Sequence, residues 1–413
     1  MNSIWIIREG EPLPLDSCSG RLMRSGMFAI NLSELGHNVT WWSSTYLHYE
    51  KRYIFDKTCS VYNNPNLELN LLHSSNSYKN NISIKRTRYS QDLGKAFRKQ
   101  SQDREKPDII YCSWPLIDLS YEAVKYGQNH SIPVVIDVRD FWPDIFIQPF
   151  PKLLQPLAKV GVKLLFGKKT SYVMKNATAV VGVIPNSLQF AQSHGRTLSS
   201  LDHVVHLAYD STPVGAEDAK QAQLLWESYG LAKDKCIVSY IGTISNRIGD
   251  FDTLIEAAKK CSDPNIVFVF CGTGNYVEEL KEKTKDLNNV VLPGYRNRAE
   301  LQVLLSMSTF GLLAYRNTDD FIDSLPNKFG EYLSTGLIIL TSLQGLSKTK
   351  VEENACGAYY DSADSLISTI ESIKNDRARA EIMSDNALAL FHAEFNASTV
   401  YKEFSNFLES LAE

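Results

Sequence analysis

The sequence predicts an α/β protein made of two doubly wound parallel sheets. Three observations predict it. The chain has 413 residues, more than one hydrophobic core usually serves. Short apolar runs alternate with helical stretches twice over, on either side of a polar stretch at 211–235 that carries Pro213 and Gly215. Several of these runs open directly into glycine or charged residues, as strands of an open sheet do where they feed a site beyond their carboxyl ends.

Composition narrows the function classes. A hydrophobic fraction of 44% with 22% charged residues is ordinary for a soluble enzyme. Residues 1–210 hold 24 Lys+Arg against 18 Asp+Glu, and the remainder 19 against 29, so a basic front half precedes an acidic back half. A pI near 6.1 argues against a general nucleic-acid binder. The seven cysteines (18, 59, 112, 236, 261, 271 and 356) form no CxxC pair, so reduced thiols in the cytoplasm are expected, without zinc. The apolar stretch 4–7 is too short for a signal peptide, and no run approaches the ~18 apolar residues of a spanning helix. A soluble or peripheral protein is expected.

In the front half, 4–7 is a first buried strand. A loop with Pro12, Pro14, Ser19 and Gly20 follows, then a helix over 21–35 and a strand at 39–42, a parallel βαβ unit. Arg21 and Arg24 at the helix start suit a phosphate or an acidic acceptor, or simply an exposed helix face. The absence of GxGxxG removes a dinucleotide fingerprint. Residues 60–83, rich in Asn and Ser without a clear period, are expected to include a mobile loop. Over 85–99, Tyr89, Leu93 and Phe97 recur every four positions amid Lys85, Arg86, Arg88, Lys95, Arg98 and Lys99, a basic amphipathic helix. A strand at 109–112 leads to a helix ending near 125. The next strand, 134–138, opens into Arg139-Asp140-Phe141-Trp142-Pro143-Asp144. That position makes Arg139 and Asp140 site candidates, with a structural ion pair as the alternative. Residues 145–201 contain seven basic residues and no acid. Leu153, Leu157, Val160 and Leu164 form a stripe there beside Lys152, Lys159 and Lys163, which suits anionic headgroups or a packed surface helix. A strand at 177–184 and a helix from 187 complete this half.

In the back half, strands at 236–241, 266–271, 290–292 and 310–314 alternate with helices at 252–260 and 300–307. Gly242-Thr243-Ile244, Gly272-Thr273-Gly274 and Gly294-Tyr295-Arg296 follow the first three strands. Within 323–345, Leu325-Pro326 is a tight loop, Asn327 caps a short helix running to Ser334, Gly336 ends it, and 337–340 is a buried strand. Glu331 lies one turn into the helix and Asp323 eight positions earlier. Helix-start amides with Lys328 beside them suit a diphosphate. Two carboxylates flanking an anion site make sense if each accepts hydrogen bonds from hydroxyls, one set from a ribose and one from a sugar. That is the shape of a nucleotide-sugar; a carboxylate facing the helix dipole and a plain loop acid are the bland readings. Residues 364–373 and 378–410 read as helices, and no repeat of solenoid period occurs.

The string from Asp323 to Gly345 resembles the donor motif of the retaining glycosyltransferases of family four, which have GT-B architecture. Its Pro-Asn-Lys-x-x-Glu-Tyr variant at 326–332 is similar to members that build bacterial surface polysaccharides, as are the Asp-x-Arg-Asp-x-Trp-Pro string at 137–143 and His48-x-x-Lys51. The resemblance spans about residues 1–400 and is most specific over 240–345. It implies two Rossmann-like domains facing across a cleft. Residues 1–212, with a crossing helix at about 394–413, would bind acceptor, and 213–393 the nucleotide-sugar donor. Glu331 would hold the donor ribose and Asp323, where Glu is usual, donor-sugar hydroxyls. Gly242 would approach the diphosphate, with Thr243 where Arg is frequent, which leaves the phosphate cation open between Arg247 and Lys328. Ser324, Leu325, Pro326, Asn327 and Gly272 would complete the donor loops, and Tyr295 and Arg296 fall where the nucleobase is read. Arg139 and Asp140 would join Asp323 in catalysis, and Gly20, Arg21 and His48 would lie on the acceptor side.

The implied reaction is sugar transfer with retention, without metal or other cofactor, the leaving diphosphate being stabilised by helix amides and Arg or Lys. A UDP-sugar is the favoured donor and a lipid-linked saccharide of O-antigen or capsule synthesis the acceptor, with peripheral contact to the cytoplasmic face of the inner membrane. Two rivals share the architecture: a nucleotide-sugar 2-epimerase, and a non-catalytic donor-binding subunit of a transferase complex.

Overall fold

The computed structural model describes residues 1–15, 18, 22–81, 83–232, 234–318 and 321–413. Two compact units make up the chain, one of Met1–His206 with Val400–Glu413, the other of Leu207–Thr399. Each is built on one twisted sheet covered by helices, a Rossmann-like arrangement.

The first unit's sheet contains β1 (Ser3–Ile7), β2 (Asn38–Ser44), β5 (Cys59–Asn64), β6 (Leu67–Leu72), β7 (Ile109–Trp114), β8 (Val134–Val138), β9 (Ala179–Gly182) and β10 (His203–Val204). Their order is β10-β9-β8-β7-β1-β2-β6-β5, parallel throughout except where β5 pairs antiparallel with β6. A two-stranded hairpin, β3 (Tyr46–Leu47) and β4 (Arg52–Tyr53), stands apart. The central strands are buried on both faces, which is why they read as continuous apolar runs. Within the region 60–83, expected to include a mobile loop, the first part forms β5 and β6. Leu67, Leu69, Leu71 and Leu72 are fully buried, whereas β5 is a half-exposed edge strand of polar residues whose periodicity is faint in the sequence. The first helix is Arg24–Glu34, within the expected 21–35.

The second unit's sheet holds β11 (Cys236–Ile241), β12 (Ile266–Cys271), β13 (Val290–Gly294), β14 (Phe310–Leu313), β15 (Ile338–Thr341) and β16 (Gly357–Tyr359), in the all-parallel order β13-β12-β11-β14-β15-β16. The sequence reading contained neither β16, a three-residue half-buried edge strand, nor the helix Leu346–Glu353 before it. The stretch read as one helix over 378–410 is two. Arg377–Leu390 runs through a π-turn at Phe391–Phe395 to Asn396, whose extended backbone breaks it, and Ala397–Ala412 follows. From that last helix, Phe404 stacks on Phe28 at 4.9 Å and meets Tyr111 edge-on, so it closes one face of the first sheet.

The helix Lys328–Leu333 is anchored by Tyr332. Its hydroxyl accepts the N–H of Ile241 at 3.1 Å and donates to the carbonyl of Leu312 at 3.3 Å, so one side chain ties the helix to the ends of β11 and β14. Gly311 makes room for the ring; a Cβ there would sit 2.6 Å from it. Removing this hydroxyl strands a buried N–H, which costs roughly 1–3 kcal/mol. Tyr332→Phe is therefore expected to lower the unfolding free energy of the second unit by an amount in that range, read in urea as a lower midpoint. A midpoint equal to wild type would show that the hydroxyl does not anchor the helix.

Candidate functional site

In the second sheet the strand order reverses between β11 and β14, and the loops after these two strands bound a crevice at their carboxyl ends. Two loops shape it by backbone contact. Gly242 donates to the carbonyl of Cys271 at 2.9 Å and Ile244 to that of Thr273 at 2.9 Å. The approach is so close that a Cβ on Gly272 would lie 1.7 Å from the carbonyl oxygen of Gly242. Gly242 itself has φ 124°, a conformation that favours glycine.

Lys328 reaches this point from its helix. Its side chain is buried, and its Nζ lies where a Cβ on Gly242 would meet it at 3.1 Å. The ammonium sits 3.7 Å from the ring centre of Tyr240 and 5.0 Å from that of Tyr315. Two π faces partly replace water around a cation, but among the described residues no carboxylate forms an ion pair with it. Burial pushes its pKa down to about 7, and the charge of Glu331 opposes that shift. A lysine desolvated this way binds an anion readily, because the anion restores the charged form. Arg247, the other expected cation, is exposed. Geometry thus brings Lys328 to Gly242.

The two carboxylates expected on the donor side are Asp323, before this helix, and Glu331, within it. Glu331 is half-buried and its Oε1 accepts the hydroxyl of Tyr209 at 3.3 Å. Asp323 is exposed, on a loop that Gly345 admits: a Cβ at 345 would lie 2.1 Å from the carbonyl of Ile322 and 2.5 Å from Asp323 Oδ1. Ser324, Leu325 and Pro326 form a half-buried turn, with Ser347 Oγ donating to the Ser324 carbonyl at 2.8 Å. The expected side-chain cap is not made. Asn327 has helical backbone angles and bonds no N–H of the helix through its side chain; the Pro326 carbonyl takes the Phe329 N–H instead, at 2.8 Å. Thr243 is exposed and its carbonyl accepts the Tyr240 hydroxyl at 2.7 Å. Tyr295 is 74% exposed beyond β13, whereas Arg296 donates to the Tyr229 hydroxyl at 2.6 Å and lies near the ring of Trp226. Tyr209, Tyr240, Tyr315, Tyr229 and Gly345 are site residues the sequence reading did not single out. Only the spacing of Tyr240 and Tyr315, each flanking a strand end, could have hinted at them.

In the first unit, Arg139 and Asp140 part company at the end of β8. Asp140 is exposed, while Arg139 turns inward and is not its ion-pair partner. Arg139 Nε donates to Asp137 at 2.8 Å, Nη1 pairs with Glu11, and Nη2 donates to Ser25 Oγ at 2.7 Å and Tyr111 at 3.0 Å. Arg24, read as a phosphate contact or an exposed residue, is neither. It is buried, with Nε on Asp137 at 3.0 Å. Glu11 also accepts the N–H groups of Ser25 and Gly26 at the start of the first helix. A second buried cluster surrounds Glu9, which accepts both guanidinium nitrogens of Arg86 at 3.0 Å and the hydroxyl of Tyr89 at 2.8 Å. His48 Nδ1 lies 2.5 Å from the Tyr78 hydroxyl, and burial lowers its pKa to about 4, so it is neutral at pH 7. Gly20 and Arg21 lie outside the described residues. Among the described residues no three His, Cys, Asp or Glu side chains gather as metal ligands, and no helix is long and apolar enough to cross a membrane.

Comparison with known proteins adds to this geometry. Residues 224–389 match the family model of glycosyl transferases group 1. No curated protein matches the chain. Among solved structures, sucrose-phosphate synthase from Thermosynechococcus elongatus superposes with a TM-score of 0.71 at 16% identity, covering 100% of this chain and 99% of that one. Anabaena HepE in complex with UDP-glucose gives 0.62 at 14% identity, covering 99% and 100%. WaaG, a glycosyltransferase involved in lipopolysaccharide biosynthesis, gives 0.60 at 13%, covering 98% and 99%. The fold is therefore that of the GT-B glycosyltransferases.

Asp137 offers a test of the first unit's polar cluster. Its two arginine neighbours and Tyr111 outweigh the opposing effect of burial and hold it at about 2, below the ordinary carboxylate value. A carboxylate whose pKa is lowered on folding stabilises above the unfolded pKa near 4, and that contribution is lost as pH falls through 2. Asp137→Asn leaves buried guanidinium groups short of a counter-charge, which costs about 3 kcal/mol or more. The expected result is a loss of that size at pH 7 in denaturant unfolding, shrinking as pH approaches 2. A variant as stable as wild type at pH 7 would overturn this account.

Proposed function

We propose that this chain is a glycosyltransferase that moves a sugar from a nucleoside diphosphate, with UDP favoured, to a hydroxyl of an acceptor, with retention and without a metal. The observation that carries the reading is the Lys328 ammonium, buried beside Gly242 and close to two tyrosine rings, with no carboxylate of the described residues paired to it. A diphosphate laid over the Gly242 and Gly272 loops supplies the missing anion. In the transition state, negative charge grows on the leaving diphosphate, and a fixed cation in a poorly hydrated place favours that growth. Glu331, held by Tyr209, receives the ribose hydroxyls. Asp323, on the exposed loop, receives hydroxyls of the sugar, and Tyr295 lies under the base. Arg139 is a positioning residue, and Asp140 contacts the sugar or acceptor. His48, neutral at pH 7, is an acceptor-side hydrogen-bonding group. The UDP-glucose in Anabaena HepE supports the choice of donor, and the role of WaaG supports a lipid-linked saccharide as acceptor. A lipid-linked acceptor places the protein against the cytoplasmic face of a membrane.

The reading predicts a pH-dependent affinity. With Lys328 titrating near 7 in the free protein and higher beside a diphosphate, UDP affinity falls about tenfold per pH unit above 7 until the bound-state value is passed. Calorimetry from pH 7 to 9 should show this slope in wild type and a flat profile in Lys328→Met. Folding lowers the pKa of this lysine from its ordinary 10.5, so its burial destabilises the free protein below that value, fully so below about 7. Lys328→Met should therefore melt higher while binding UDP more weakly. A wild-type profile as flat as the variant's would refute the diphosphate role.

Glu331→Ala should weaken UDP binding by about ten- to a hundredfold, since a hydrogen bond to a charged group contributes roughly 1.5–3 kcal/mol. Affinity unchanged within twofold would exclude the ribose contact. Incubation with a UDP-sugar separates the rivals. A transferase releases UDP only as a glycoside forms, an epimerase turns over the nucleotide-sugar alone, and a binding subunit does neither.

A further inference from the structure

The first unit holds a cavity of about 550 Å³, within the usual range for small-molecule sites, between the helix Ile84–Gln100, the start of the helix Ile117–His130 and the segment 142–166. Ile84, Leu116, Trp142, Phe146, Val162 and Phe166 make most of its wall apolar. The charged side chains that border it are already ion-paired, with only Arg86 Nε lacking a hydrogen-bond partner. Arg86 is held by Glu9, and Asp118 accepts from Lys169 at 2.5 Å and Ser90 at 3.1 Å. The interior therefore suits a neutral chain rather than a charged group.

The helical run over this cavity has an unusual surface. No residue of Gln155–Val162 or of the π-turn Lys163–Gly167 that continues it is buried. Three stripes run along it at helical spacing. Ala158, Gly161 and Leu165 line the cavity. One position back, Leu153, Leu157, Val160 and Leu164 are 90%, 73%, 56% and 79% exposed. One further back, Lys152, Lys159 and Lys163 are exposed too. Leu165 and Ile84 line the cavity and are also 77% and 73% exposed, so they mark its mouth, and exposed Lys85 and Arg88 flank Ile84 on the opposite bank. So large an apolar patch is rarely left to water.

We propose that this surface lies on a membrane and that the cavity takes one hydrocarbon chain of a phosphate-headed lipid. The leucine stripe enters the hydrocarbon boundary, the lysines meet the headgroups, and the chain passes between Leu165 and Ile84 into the apolar interior. Positive charge on both banks, one of them within a stretch (145–201) without one acid, selects an anionic lipid surface over an uncharged apolar partner. The inference stands on the first unit alone and does not depend on the donor site.

Calorimetry with dodecyl phosphate below its micelle concentration should show one saturable site on the full chain, with inorganic phosphate alone giving none. Ala158→Trp, which fills the cavity, and Leu165→Asp, at the exposed mouth, should each weaken binding about tenfold or more, with melting temperature and UDP affinity as in wild type. Leu157→Asp with Leu164→Asp should abolish cosedimentation with phosphatidylcholine vesicles containing phosphatidylglycerol, yet keep dodecyl phosphate affinity. No saturable binding by wild type, equal binding of inorganic phosphate, or unchanged affinity in both folded cavity variants would overturn the proposal. A failure here with UDP affinity intact leaves the donor reading standing, and the reverse result would leave the cavity.

Discussion

A buried lysine ammonium with no ion-pair partner among the described residues is costly, and the second unit is arranged around that cost. The ring centres of Tyr240 and Tyr315 lie 3.7 and 5.0 Å from Lys328 Nζ, and a Cβ at Gly242 would crowd it at 3.1 Å. The helix that carries the lysine is fixed by Tyr332 to the ends of β11 and β14, the two strands between which the strand order reverses. Position, desolvation and glycine clearance together make one point in the sheet receptive to an anion. A fold optimised for stability alone would put an apolar side chain there.

The first unit handles charge in the opposite way. Arg24, Arg139, Asp137 and Glu11 pair with one another, and Glu9 pairs with Arg86 and Tyr89, although Arg86 Nε is left without a hydrogen-bond partner. These groups leave little free charge at the carboxyl ends of β1 and β8; they hold a polar floor in a fixed geometry. Beside them, Asp140 is exposed at a strand end and the half-buried ring of His48 is neutral. The exposed charge of this unit includes the lysines beside the leucine stripe.

Much of the fold was legible in the sequence because strands buried on both faces must be apolar throughout. β1, β7, β8, β11 and β12 announce themselves in this way. The edges were not legible. β5 is half exposed and polar, and β16 is three residues long, so neither carries a period to read. The break at Asn396 was hidden because the apolar residues on both sides keep helical spacing through a π-turn.

The sequence by itself determined the alternation of strand and helix, the glycines after β11 and β12, the pairing of Asp323 with Glu331 around a short helix, and the acid-free stretch 145–201. These are local properties, set by neighbours along the chain. Only the tertiary structure decided which cation reaches Gly242, because Lys328 and Gly242 are brought together by sheet order and not by spacing. It also decided that Arg139 turns away from Asp140 toward Asp137 and Glu11. Adjacent residues at a strand end point in opposite directions, so sequence adjacency favours separation over contact, and the partners of a buried charge come from whichever strands and loops the fold sets beside it.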